Sequence, residues 1–189
     1  ILIDTSPDIK NQLTSNKVKN ISSVIYTHEH SDQTNGIFEL RPFAFKKKGN
    51  KKVNFWSKGN PVNVYGNFST IRLLKKRFDY CFKKIDIYPS IVKANIIKKK
   101  FSLGRLNEKI KFTTIQVKHG NLKVTGYIFN KTAYLSDCND FNIIKKDELK
   151  NLNYLIIDCL NIGGNLAHFG LNDCLLVNRV LKPKKMILT

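Results

Sequence analysis

The sequence predicts an α/β protein whose helices lie outside packed sheets. Three observations predict it. Short segments of alternating or continuous apolar character recur along the chain, bounded by turn-forming residues. Two of them, 124–129 and 132–135, are joined by Asn130-Lys131, which reads as a tight hairpin. The pattern then becomes strand, helix, strand over 152–158, 172–181 and 185–189.

The remaining elements follow in order. Residues 1–3 read as a buried strand ending at Asp4. Thr5-Ser6-Pro7-Asp8 is a turn and a helix start, because Ser and Asp cap helices and Pro suits the first turn. A short helix over 8–16 places Ile9 and Leu13 on one face. Residues 22–27 form a strand, a His-rich loop follows, and 35–40 begin another helix. Residues 46–52 are a solvated basic loop and 62–66 a strand. Residues 69–78 form an amphipathic helix with Ile71, Leu74 and Phe78 apolar. The stretch 80–106 reads as short strands and loops. Residues 111–118 alternate around Phe112, Ile115 and Val117. The helix over 172–181 counts Leu175, Leu176 and Val180 among its apolar positions.

At 189 residues the chain is most simply one domain over 1–189, with room for a substantial core. Its 42% hydrophobic residues set it apart from disordered chains. No apolar run approaches the roughly 20 residues of a membrane span. The start lacks an initiator Met and a signal-peptide pattern, and both ends read as cuts through strands, so a fragment is expected. Cys81, Cys138, Cys159 and Cys174 are widely separated and suggest neither a zinc knuckle nor a disulfide framework. Reduced thiols in a cytoplasm are the expectation. Net charge is +19, which attracts polyanions and anionic substrates. The excess is nearly all lysine and comes with abundant Asn and Ile, as an AT-rich genome encodes, so a solvated surface is the simpler source.

His28-Glu29-His30-Ser31-Asp32 follows the apolar run Val24-Ile25-Tyr26 and precedes Gly36. Ligand-type side chains at i, i+2 and i+4 converge on one point if the backbone curls after a strand. Neutral imidazole and carboxylate are ligands that zinc, iron or manganese accept. Three further polar residues stand at strand ends or in loops: His119 before Gly120, Asp137 after Tyr134-Leu135-Ser136, and His168 after Gly163-Gly164. All four histidines fall at such positions and none in a core stripe. Sheets present strand-end residues along one rim, so this set points to a metal site.

Asp4-Thr5-Ser6-Pro7-Asp8, Tyr26-Thr27-His28-Glu29-His30-Ser31-Asp32, His119-Gly120, Tyr134-Leu135-Ser136-Asp137 and Ala167-His168-Phe169 resemble the metallo-β-lactamase superfamily. Within it they resemble the phosphoribosyl cyclic phosphate phosphodiesterase branch. The resemblance implies a four-layer αββα sandwich, truncated here at both ends, with a two-metal site on one edge. It implies that His28, His30 and His119 hold the first metal, that Asp137 bridges, and that Asp32 ligates the second. Asp4 would orient a ligand, and His168 would contact or protonate substrate. Where the family has a further His after the motif Asp, this chain has Gln33, a weaker second-site ligand. The family's Thr-His pair at the last strand is cut at Thr189. The implied cofactor is zinc or manganese, with one firm site and a weaker second.

The expected activity is hydrolysis of a small cyclic or nucleotide-like phosphodiester by metal-activated water, with Asp32 near that water and His168 giving a proton to the leaving group. The first alternative is an RNA-processing nuclease of the same fold. Phe43, Phe45, Phe55 and Trp56 with nearby lysines are its best stacking candidates, though such aromatics more often anchor cores or loops. A thioester or lactam hydrolase is a second alternative, and a degenerate, non-catalytic metal-binding domain a third. The expected partner is a small phosphorylated substrate, with nucleic acid and a homodimer possible and no membrane.

Overall fold

A computed structural model describes residues 1–44, 60–86, 88–104 and 107–189. The basic loop at 46–52 and the aromatics Phe45, Phe55 and Trp56 lie outside the described residues. The chain forms two compact units, Ile1–Ile97 and Lys98–Thr189. It is a mixed α/β protein with two sheets.

The first unit runs β1 (Leu2–Ile3), α1 (Ile9–Ser15), β2 (Ser23–Ile25), α2 (Ser31–Thr34), a 3-10 helix (Asn35–Leu40), α3 (Arg41–Ala44), β3 (Val62–Gly66), α4 (Phe68–Arg77), α5 (Asp79–Phe82) and β4 (Val92–Ile96). Its four strands are parallel in the order β1-β2-β3-β4, with Ile3 opposite Ile25 and Val24 opposite Val64. A parallel sheet covered on both faces favours continuously apolar strands, as in β2, whereas β3 and β4 carry Asn63, Lys93 and Asn95 among their apolar residues. Val24, Ile25 and Tyr26 accordingly show no exposure. The apolar faces of α1 (Ile9, Leu13) and α4 (Ile71, Leu74) join this core, and Phe43 packs against it. Asn67 caps α4, its Oδ1 accepting from the Thr70 amide at 2.8 Å.

The second unit runs β5 (Lys100–Leu103), β6 (Ile110–His119), β7 (Leu122–Phe129), β8 (Thr132–Leu135), two 3-10 turns, β9 (Tyr154–Ile157), α6 (Leu171–Leu181) and β10 (Lys185–Leu188). The sheet order is β10-β9-β8-β7-β6-β5. The β5 to β8 pairs are antiparallel, and β8-β9 and β9-β10 parallel. Asn130 and Lys131 turn the β7–β8 hairpin with φ of +46° and +58°. Two left-handed residues are what a two-residue turn needs to match strand twist. Ile115, Val117, Leu135, Leu155, Ile157 and Val177 share one core, while Phe112 stacks on Phe101 at 5.2 Å beside Tyr127 and Phe129.

Two expectations change. The helix expected from residue 35 is a 3-10 segment, and 79–82 is a helical turn within a stretch read as strands and loops from residue 80. On α6, Leu175, Leu176 and Val180 are exposed, while Cys174, Val177 and Leu181 are buried. The i, i+3, i+7 stripe, not the more hydrophobic-looking neighbours, meets the sheet.

Candidate metal centre

In the first unit, the pairing of β1 with β2 sets one group of candidate ligands. Asp4 follows β1 and its amide donates to the Ile25 carbonyl at 2.9 Å, which places it beside the residues just past β2. Asp4 has φ +57°, a conformation Asp tolerates. Its Oδ1 accepts from the Thr27 amide and its Oδ2 from the Thr27 hydroxyl, both at 2.8 Å. The Thr27 hydroxyl has one hydrogen and gives it to Asp4. It therefore accepts from Nδ1–H of His28, 3.0 Å away. This arrangement puts the His28 proton on Nδ1 and the lone pair of the neutral ring on Nε2, the form that can ligate a metal. Asp4, Thr27 and His28 are all buried.

The His28 and His30 rings lie 4.6 Å apart, edge to face. Between them, Glu29 turns towards α4: its Oε2 accepts from the Thr70 hydroxyl at 3.1 Å, and its carbonyl from Arg77 Nη1. Arg77 also donates to Asn35 Oδ1 at 3.2 Å, and the Thr34 hydroxyl to the His30 carbonyl at 2.7 Å. Gly36 is needed for packing, since a Cβ there would stand 2.2 Å from the Ser6 carbonyl. Asp32 is exposed at the start of α2 and accepts from Gln33 Nε2 at 3.0 Å.

In the second unit, a further group of candidate ligands stands at the ends of β6 and β8. His119 Nδ1–H donates to the Ala167 carbonyl at 2.8 Å, so its lone pair too is on Nε2. That Nε2 lies 3.7 Å from Asp137 Oδ2, both side chains nearly buried. The His168 ring sits 4.6 Å from that of His119. His168 Nδ1 donates to Asp158 Oδ2 at 2.8 Å, and the same oxygen accepts from the Cys138 amide.

Asp158, at the end of β9, was not singled out from sequence. The signal was there: it is a carboxylate closing a buried strand, like Asp137. Burial holds the Asp158 carboxyl above the usual carboxylate range, against the opposing pull of the Cys138 amide and His168. Burial also pushes the thiols of Cys138 and Cys174 up to about 12 and that of Cys81 up to about 11. His28 and His30 in the first unit, and His119 and Asp137 in the second, are the ligand-type residues that could hold a metal ion; among the described residues Asp32 is not one of them. Three imidazoles and one carboxylate, with two of the imidazoles already in the ligating tautomer, are donors that a divalent metal accepts.

No described helix is long and apolar enough to cross a membrane. Among solved structures, a diphosphatase from the PhnP family shares 28% identity and a TM-score of 0.80, covering 99% of this chain and 66% of its own. YhfI of Bacillus subtilis, a metallo-β-lactamase fold protein, shares 16% identity and a TM-score of 0.72, over 99% of this chain and 72% of its own. A curated relative, an octanoyltransferase of Porphyromonas gingivalis, is 25% identical over 85% of this chain; the chain spans only 30% of that protein's length. A family profile described as the beta-lactamase superfamily domain matches residues 1–189. The chain therefore belongs to the metallo-β-lactamase superfamily, with its nearest likeness among these to the PhnP branch.

Proposed function

We propose that this superfamily hydrolase is a metal-dependent phosphodiesterase acting on a small cyclic or nucleotide-like phosphodiester. The observation that carries the reading is the pair of hydrogen bonds that fix His28 and His119 in the Nε2 lone-pair form. The likeness to a PhnP-family diphosphatase supports phosphate chemistry, and the fold shared with yeast PDE1 (TM-score 0.58) is compatible with it. The octanoyltransferase name belongs to a protein of which this chain matches less than a third, so acyl transfer is not drawn from it.

In this reading His28, His30, His119 and Asp137 hold one divalent ion, zinc or manganese. Asp32, with Gln33 at its side, contributes to a weaker second site. When bound, such an ion supplies Lewis acidity, which acidifies water and neutralises charge on phosphate oxygens. The chain's own groups do the rest. Asp4, through Thr27, keeps His28 in its ligating tautomer. Asp158 accepts from Nδ1–H of His168 and so fixes the ring, and His168 in its protonated form presents Nε2–H to the leaving alkoxide. Departure of the alkoxide as an alcohol then needs no free proton from solvent.

The partner is a small phosphorylated substrate in a cytoplasm. The nuclease alternative rests on the +19 charge and on Phe45, Phe55 and Trp56, which lie outside the described residues; Phe43 packs against the core. Hydrolysis of a chromogenic phosphodiester, assayed with added manganese or zinc and then with chelator, tests the reading. Metal-dependent turnover that is insensitive to salt is expected. Absence of turnover with either metal would refute it, and a steep salt dependence on oligonucleotides would favour the nuclease.

A further inference from the structure

The loop that carries His168 has its apolar anchor after that residue, where Phe169 is buried in the core and its amide donates to the Cys138 carbonyl at 2.8 Å. Before it, Ile162 is 77% exposed and Leu166 92%, with Gly163-Gly164 between them. Over 162–166 polar contacts must therefore set where the loop lies. Its carbonyls at 166 and 167 are held from the rim of the sheet by two side chains, His119 at Ala167 and Asn139 at Leu166.

The geometry points to Asn139 as a positioning residue for His168: its carboxamide ties the turn after His119 to the loop bearing His168. This rests on the proposed role of His168 at the substrate. Asn139 follows Asp137 by two residues, and its amide donates to the Lys118 carbonyl at 2.9 Å, anchoring it between β6 and β8. Its Oδ1 accepts from the Gly120 amide at 3.1 Å, while its Nδ2 donates to the Leu166 carbonyl. A main-chain N–H can only donate and a carbonyl can only accept, so the two partners decide which end of the amide is which. A group at this position must offer an acceptor and a donor at once. A carboxylate offers only acceptors and an aliphatic side chain neither. Gly120, at φ +56°, a conformation that favours glycine, presents its amide to Asn139. From Ala167 the chain continues directly into His168, whose amide is held by Asn165 Oδ1 at 2.9 Å. Asn139 thus fixes the approach of the chain to His168, two peptide units away, while Asp158 holds the ring and Phe169 anchors the chain beyond it.

Asn139→Leu and Asn139→Ala, made in the full chain, test this with two readouts. Turnover of bis(p-nitrophenyl) phosphate with manganese should fall about tenfold, the worth of one to two net hydrogen bonds. In a His168→Ala background the same substitutions should cost less than about twofold, because the residue acts through His168. Independently of activity, amide hydrogen exchange at 164–168 should speed up about tenfold while β6 and α6 keep their protection. Equal losses in both backgrounds, or unchanged exchange at 164–168, would overturn the assignment. Full turnover in His168→Ala alone would instead refute the role given to His168, leaving the exchange measurement to decide Asn139.

Discussion

Thr27→Val removes one hydroxyl and keeps the side-chain shape. The hydroxyl donates to Asp4 at 2.8 Å and accepts from His28 at 3.0 Å, and all three residues are buried. A hydrogen bond to a charged group contributes about 1.5–3 kcal/mol and a neutral one about 0.5–1.5, so the fold should lose roughly 2–4 kcal/mol. The second effect is on the metal. Without the hydroxyl nothing from Thr27 holds the proton on Nδ1, and His28 can place it on Nε2 instead. Loss of such an orienting partner weakens metal affinity about 10–100-fold. Urea unfolding measures the first effect and competition with a zinc indicator the second. Thr27→Ser keeps the hydroxyl and should retain the affinity. A Thr27→Val chain with stability within about 0.5 kcal/mol and zinc affinity within about twofold of the parent would show that Asp4 and Thr27 do not set the His28 tautomer.

Other outcomes follow from the same geometry. His168→Ala should keep bound metal yet lose about 100-fold or more in turnover, read by steady-state kinetics beside metal analysis. Asp158→Asn should lower turnover, because a neutral amide lacks the carboxylate charge beside His168 Nδ1, and should cost little stability: burial raises the Asp158 carboxyl, so its charge is less favoured in the fold than in the unfolded chain, which a melting curve would check. The raised thiols of Cys81, Cys138 and Cys174 should resist alkylation in the native state at pH 8, with mass mapping as the check. The sign for stability follows: an unfolded chain releases these protons near pH 9 and the folded one near 11 to 12. Stability is therefore whole below about pH 9 and declines above it, which unfolding at pH 8 and pH 10 would compare. Gly126→Ala should destabilise the second unit, because its Cβ would stand 2.4 Å from Leu135 Cδ2.

The candidate ligands His28, His119 and Asp137 stand out in the sequence because each comes at or just past the end of an apolar strand, and strand periodicity survives in a single sequence. His28, His119 and Asp137 were placed by that logic, and the Asn130-Lys131 turn by its residue types. The supporting groups were not. Thr27, Asn139 and Asp158 act through hydrogen bonds to residues up to 27 positions away, and no local period reports such partners. The face of α6 was ambiguous for another reason. Cys174, Leu175, Leu176, Val177, Val180 and Leu181 run around the helix, so composition alone does not choose the buried stripe. The 3-10 segment after His30 is too short for periodicity to separate it from an α-helix.

Calorimetric zinc titration of the chain and of single-histidine variants tests the proposed centre most directly. One tight equivalent should bind the parent, survive in His168→Ala, and be lost in His28→Ala, His30→Ala and His119→Ala. A tight equivalent that persists through all three of those losses, or none in the parent, would contradict a metal held by these imidazoles.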